Sequence, residues 1–89
     1  MENAEIIGIP EFFGGVLRSF RMERDTSQEE LAFRAGVDRT FISQIERGIR
    51  QPTITTIIGL AAALNVTAGE LVNETETRYQ NRSKKEEVI

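Results

Sequence analysis

Residues 27–50 read SQEELAFRAGVDRTFISQIERGIR, and this stretch decides the fold. Its order of residue types describes two short helices joined by a tight glycine turn. Ser27 is placed to cap the first helix, and Glu30, three residues on, can reach back to the cap's own N–H. Such a capping box satisfies two backbone donors that a helix start leaves orphaned. Leu31, Ala32 and Ala35 then share one helical face. Gly36 ends the helix, because glycine enters the left-handed backbone region without steric cost. Asp38 is the expected cap of a second helix over residues 39–47. On it Ile42 and Ile45 face inward, while Arg39, Thr40, Ser43, Gln44 and Arg47 face outward. Phe41 lies at the border and Gly48 closes the helix.

An outer face of arginine, hydroxyl and amide groups has two readings. Polar outer residues alone describe any solvated helix of a small bundle. The same residue types also suit base recognition, since arginine bonds two acceptors on guanine and glutamine can pair with adenine. The capped helix, the Ala-Gly turn and the second capped helix together favour the second reading, because that order is the helix-turn-helix layout.

SQEELAFRAGVDRTFISQIERG resembles the helix-turn-helix of the phage repressor and Cro (XRE) family. The matching residues are Gln28, Leu31, Ala32, Ala35, Gly36, Val37, Ile42, Ser43, Ile45, Glu46 and Gly48. Within that family, DRTFISQIERGIRQPT is most similar to the controller proteins of restriction–modification systems. The likeness extends over about residues 12–72. It implies an all-α, five-helix, lambda-repressor-like domain. It also implies a transcription regulator that binds the DNA major groove as a homodimer on a palindromic operator and controls its own promoter. By the same resemblance, Arg39, Thr40, Ser43 and Gln44 face the groove and read bases. Gln28, Arg47, Arg50 and Gln51 are the expected phosphate contacts. Gln28 opens a helix, where backbone N–H groups and the dipole favour an anion. Phe41 is expected to meet a thymine methyl, to pack beneath the backbone or to fill the core. The family position of Arg21 pairs with that of Glu46, tying helix one to the recognition helix. Dimerisation is implied through helix five and the end of helix four, with Leu64, Val66, Leu71 and Val72 as the apolar seam. The alternative is that these four close the core.

Composition narrows the chemistry. A chain of 89 residues fits one domain with a limited core. It has no cysteine and no histidine, which removes disulfides, thiolate metal sites and the commonest general base. No enzyme activity, metal, cofactor or small-molecule ligand is expected. No apolar run approaches the roughly 20 residues of a membrane span, so no membrane partner is expected and the location is read as cytoplasmic. The net charge of −3 speaks against nucleic acid at first sight. Its distribution answers that. Residues 10–52 hold seven arginines and seven acids, so the excess of acid lies outside the helix-turn-helix. Moderate, strongly salt-dependent DNA affinity follows.

The rest of the chain is ordered around this centre. Residues 1–9 read as a flexible arm, and residues 10–73 as the DNA-binding domain. Pro10 suits a first helical turn, and Phe13, Val16, Leu17 and Phe20 recur at helical spacing, giving a first helix over residues 11–24. Gly14-Gly15 weakens it by roughly 1 kcal/mol per glycine. Pro52 excludes helix just before it, and Thr53 can cap a fourth helix with Ile54, Ile57, Ile58, Ala61 and Leu64 inside. Asn65 is its left-handed stop, and Thr67–Glu70 forms a second capping box opening a short fifth helix. Residues 74–89 lose the apolar pattern and read as a disordered or partly helical tail. A phage-type repressor, an antitoxin and a protein-interaction module on the same fold are the competing readings.

Overall fold

The computed structural model describes the backbone of residues 8–88 and the side chains of residues 8–82. Among them five α-helices follow one another: α1 (Ile9–Glu23), α2 (Gln28–Ala35), α3 (Arg39–Glu46), α4 (Ile54–Ala63) and α5 (Ala68–Val88). Local signals set most of their ends. Ser27 Oγ accepts from Glu30 N at 2.9 Å, and Glu30 Oε1 accepts from Ser27 N at 3.4 Å. Gly36 ends α2 at φ +72°, and Asn65 turns the chain after α4 at φ +62°. Thr53 Oγ1 accepts from Thr56 N, and Thr67 Oγ1 accepts from Glu70 N at 3.0 Å. Asp38 stands at the N-cap of α3, but its side chain makes no capping bond. Helix α1 begins at Ile9, two residues before the expected start, with Pro10 in its first turn. The remainder of the expected arm, residues 1–7, lies outside the described residues.

One apolar core joins all five helices. Phe13, Val16 and Leu17 come from α1, Leu31 and Ala32 from α2, and Ile42 and Ile45 from α3. Ile57, Leu60 and Ala61 come from α4, with Leu64 at its cap and Leu71 from α5. Burying such a side chain contributes about 1.5–3 kcal/mol. Phe20, Ala35, Val37 and Phe41 pack against this centre while partly exposed. The expected inner face of α4 needs correction. Ile54 and Ile58 are more than half exposed, and Leu60 is buried in their place. The segment ITTIIGLAAA is apolar on every side, so periodicity fitted two faces and packing chose the one through Ile57, Leu60, Ala61 and Leu64.

The glycine pair of α1 now has a physical reason at one position. A Cβ on Gly14 would fall on the Ile45 carbonyl oxygen and within 2.7 Å of that of Glu46. Only a missing side chain lets α1 approach the end of α3 this closely. Gly15 is different, since a Cβ there would meet Arg78 at an ordinary 3.6 Å.

Of the two states expected for the tail, the helical one applies to residues 74–88, and residue 89 lies outside the described residues. Helix α5 continues to Val88 instead of ending near residue 73. Leu71, Thr75, Arg78, Tyr79 and Arg82 recur at helical spacing, and from this stripe Arg78 and Tyr79 reach α1. Thr75 is buried and donates to Leu71 O at 2.8 Å. Arg78 Nη2 donates to Ser19 Oγ at 3.3 Å, and Tyr79 meets Phe12 edge to face with ring centroids 6.1 Å apart. Two aromatic rings and a long arginine stem supply cover that a search for aliphatic residues does not register.

Candidate nucleic-acid interface

Helix α3 stands on Ile42 and Ile45, both fully buried. That footing turns Arg39 and Thr40 out to solvent and leaves Ser43 and Gln44 half-buried beside them. The four base-reading candidates therefore share one ridge. Arg47, Arg50 and Gln51, just beyond the helix, are exposed as well.

The ridge is anchored from behind by one carboxylate. Arg21 Nε donates to Glu46 Oε2 at 2.6 Å, and Arg21 Nη2 donates to Glu46 Oε1 at 2.9 Å. Arg21 Nη1 donates to the carbonyl of Thr26 at 2.9 Å. These planar, two-pronged bonds fix direction as well as distance. The side chains are 12% and 4% exposed, so the pair is largely withdrawn from water. Glu46's hydrogen bonds, opposed by partial burial, hold the Arg21 guanidinium above its ordinary range. A group raised in the folded state contributes fully below its unfolded pKa and loses that contribution only as pH climbs through the folded value. For an arginine that window lies above neutral and mildly alkaline conditions.

Gln28 joins the same carboxylate, its Nε2 donating to Glu46 Oε1 at 3.0 Å. One of its two N–H donors is thus committed inside the protein, which narrows the expected phosphate role to the other. Glu46 ties together α1, the start of α2 and α3. The buried Thr26, whose carbonyl takes Arg21, carried no signal in the sequence.

At the other side of the ridge, Arg50 folds back onto α3. Its Nε donates to Gln44 Oε1 at 2.9 Å, and its guanidinium carbon lies 5.5 Å from the centre of the Phe41 ring. Phe41 thereby does two things, packing on the core below and supporting Arg50 above. Asp38, Thr40, Phe41, Gln44 and Arg50 line an open recess of about 390 Å³. Arg34, in contrast, pairs with Glu30 one turn back on α2 at 3.3 Å.

The expected dimer seam divides. Leu64 and Leu71 are buried in the core of the single chain and offer nothing to a second copy. Val66 is half-buried against the core, and Val72 is exposed. Ile54 and Ile58, one turn apart on α4, are exposed apolar residues where the spacing predicts an inner face. Among the described residues no single helix is long and apolar enough to cross a membrane.

Comparison with known proteins agrees with this geometry. The helix-turn-helix family model HTH_3 matches residues 17–71. The control protein C.SmaI of Serratia marcescens is 39% identical over 74 residues, covering 81% of this chain and 88% of that protein. The crystal structure of the restriction–modification controller C.AhdI from Aeromonas hydrophila superposes with a TM-score of 0.69 at 40% identity, over 70% of this chain and 94% of that one. The controller C.Esp1396I, solved as a tetramer with its natural 35 base-pair operator, superposes with a TM-score of 0.74 at 28% identity, over 81% of this chain and 95% of that one. The chain belongs to the XRE-type helix-turn-helix family, whose members include restriction–modification controllers and phage repressors.

Proposed function

We propose that this transcriptional regulator binds a palindromic operator as a homodimer, in the manner of a restriction–modification controller that also acts on its own promoter. The observation that carries the reading is the ridge of α3. Polar groups that can address base edges stand on two fully buried isoleucines and are fixed from behind by Arg21 and Glu46. A rigid support of this kind suits recognition, because ordering side chains only on binding costs affinity.

In this reading Arg39, Thr40, Ser43 and Gln44 address bases, while Arg47, Arg50, Gln51 and the remaining donor of Gln28 address phosphates. Phosphate contacts fix register and base contacts carry sequence. One module covers only a few base pairs, so two copies on a two-fold axis would read half-sites about 34 Å apart. The dimer seam is redrawn to Ile54, Ile58, Val66 and Val72, which leaves the core residues out. No small-molecule ligand, cofactor or membrane partner is part of the reading. The operator-bound C.Esp1396I tetramer supports it. So does the likeness to the controllers C.SmaI and C.AhdI. A second reading, a phage-type repressor, draws on the 35% identity over 72 residues to the CTXphi repressor RstR of Vibrio cholerae.

Selection of sites from a random duplex pool tests the proposal. The expected result is an enriched palindrome with half-sites one DNA turn apart, bound less tightly as salt rises. A pool without enrichment, with the protein retained on no duplex at low salt, would favour a protein-interaction module.

A further inference from the structure

The Gln44–Arg50 contact has a consequence for which base is read. An arginine has donors only, so the atom of Gln44 that accepts from Arg50 Nε must be the amide oxygen. The assignment of that amide is thereby settled: one lone pair of its oxygen is taken by Arg50, and its nitrogen keeps two N–H groups. Three further features hold the arrangement. Ile49 N and Arg50 N both donate to the Gln44 carbonyl, at 2.9 and 3.3 Å. Gly48, at φ +77°, makes the turn that brings them there. The Phe41 ring supports the guanidinium. Among the described residues, the Gln44 amide nitrogen and the Arg50 Nη atoms have no protein partner.

The two side chains therefore present a surface made mainly of donors. The acceptors of the same recess, the Asp38 carboxylate and the Thr40 hydroxyl, lie a helical turn or more N-terminal to Gln44. A free glutamine reads adenine by giving a proton to N7 and accepting one from N6. The Gln44 oxygen keeps one lone pair, but an adenine N6 donor approaching it would meet the donors of Arg50 already beside it, so the second contact is disfavoured. Guanine offers two major-groove acceptors, N7 and O6, and matches a donor pair.

We infer that Arg50 is a positioning residue that, by taking one lone pair of the Gln44 oxygen and setting its own donors beside it, shifts the preference of Gln44 from adenine toward guanine. The inference rests on the DNA-binding reading above and assigns Arg50 a role in sequence choice beyond a phosphate contact.

Site selection with the parent, Gln44→Ala and Arg50→Met tests it. Methionine keeps an apolar stem on Phe41 and removes every donor. Arg50 is exposed, so thermal unfolding of Arg50→Met should match the parent. Gln44→Ala should lose preference at one position per half-site, and the parent should hold guanine there. In Arg50→Met the preference of guanine over adenine at that position should fall by about tenfold or invert, with other positions kept. Uniform weakening of Arg50→Met on all sequences would overturn the inference and leave Arg50 a phosphate contact. So would adenine at that position in the parent, or a Gln44→Ala variant with unchanged preferences. A parent that enriches no site would overturn the DNA-binding reading itself, and the inference with it.

Discussion

Ser27, Gly36 and Gly48 shape α2 and α3 through their own backbone neighbours, whereas Arg78 helps hold α5 by reaching Ser19, 59 positions earlier in the chain. The first pair is built from local signals, the second from contacts that exist only after α1 has folded back. The two regions meet at α1. Its Gly14 side presses on the end of α3, and its Phe12 and Ser19 side carries α5. The difference teaches where function can be placed. A helix standing on two buried isoleucines needs little from the rest except a fixed angle, and Glu46 and Gly14 supply that angle.

The contrast can be broken most severely at Glu46. Glu46→Ala would leave the guanidinium of Arg21 and an amide of Gln28 without their partner. Removing one member of a largely buried pair costs about 3–5 kcal/mol, read as a lowered Tm in thermal unfolding. A variant melting like the parent would show that the carboxylate does not fix α3. Gly14→Ala comes next. Its methyl would meet backbone oxygen, which cannot rotate away, so about 1–3 kcal/mol should be lost by chemical denaturation.

Smaller effects sharpen the comparison. Tyr79→Ala removes the edge-to-face contact with Phe12 and should cost on the order of 1 kcal/mol. Its mark in amide hydrogen exchange should be faster exchange along α5, with α3 unchanged. Gly15→Ala has the opposite sign to its neighbour. Its methyl finds ordinary contact, so the better helix propensity should raise stability by up to about 1 kcal/mol. Arg39→Ala should leave Tm within about 0.5 kcal/mol equivalent, as an exposed substitution does, yet relax site preference at one base position per half-site.

The same contrast explains what the sequence made legible. The capping box at Ser27, the αL turn at Gly36 and the isoleucines of α3 are written within a few residues of where they act. The resemblance to the phage repressor and Cro family extends that reading to the Arg21–Glu46 pair. Helix α5 was harder. Its inner stripe uses the buried Thr75 and the half-buried Arg78 and Tyr79, residue types that also occur on solvated faces, and Arg78 and Tyr79 find partners on α1. In α4 the difficulty was the reverse, since apolar residues all round left two faces open and placed Ile54 and Ile58 inside. Leu64 and Leu71 were assigned to a seam because apolar character cannot distinguish a core from an interface. The bonds of Gln28 to Glu46 and of Arg50 to Gln44 depend on side-chain direction across a fold, which no spacing rule expresses.

The central claim is that α3, and not the exposed apolar face of α4, meets duplex DNA. Backbone amide NMR during titration with a selected operator duplex measures this directly. The largest shifts are predicted at Arg39, Thr40, Ser43, Gln44 and Arg50, with Ile54 and Ile58 little changed beyond any effect of dimerisation. Shifts concentrated at Ile54, Ile58 and Val72, with Arg39–Glu46 silent, would contradict the account.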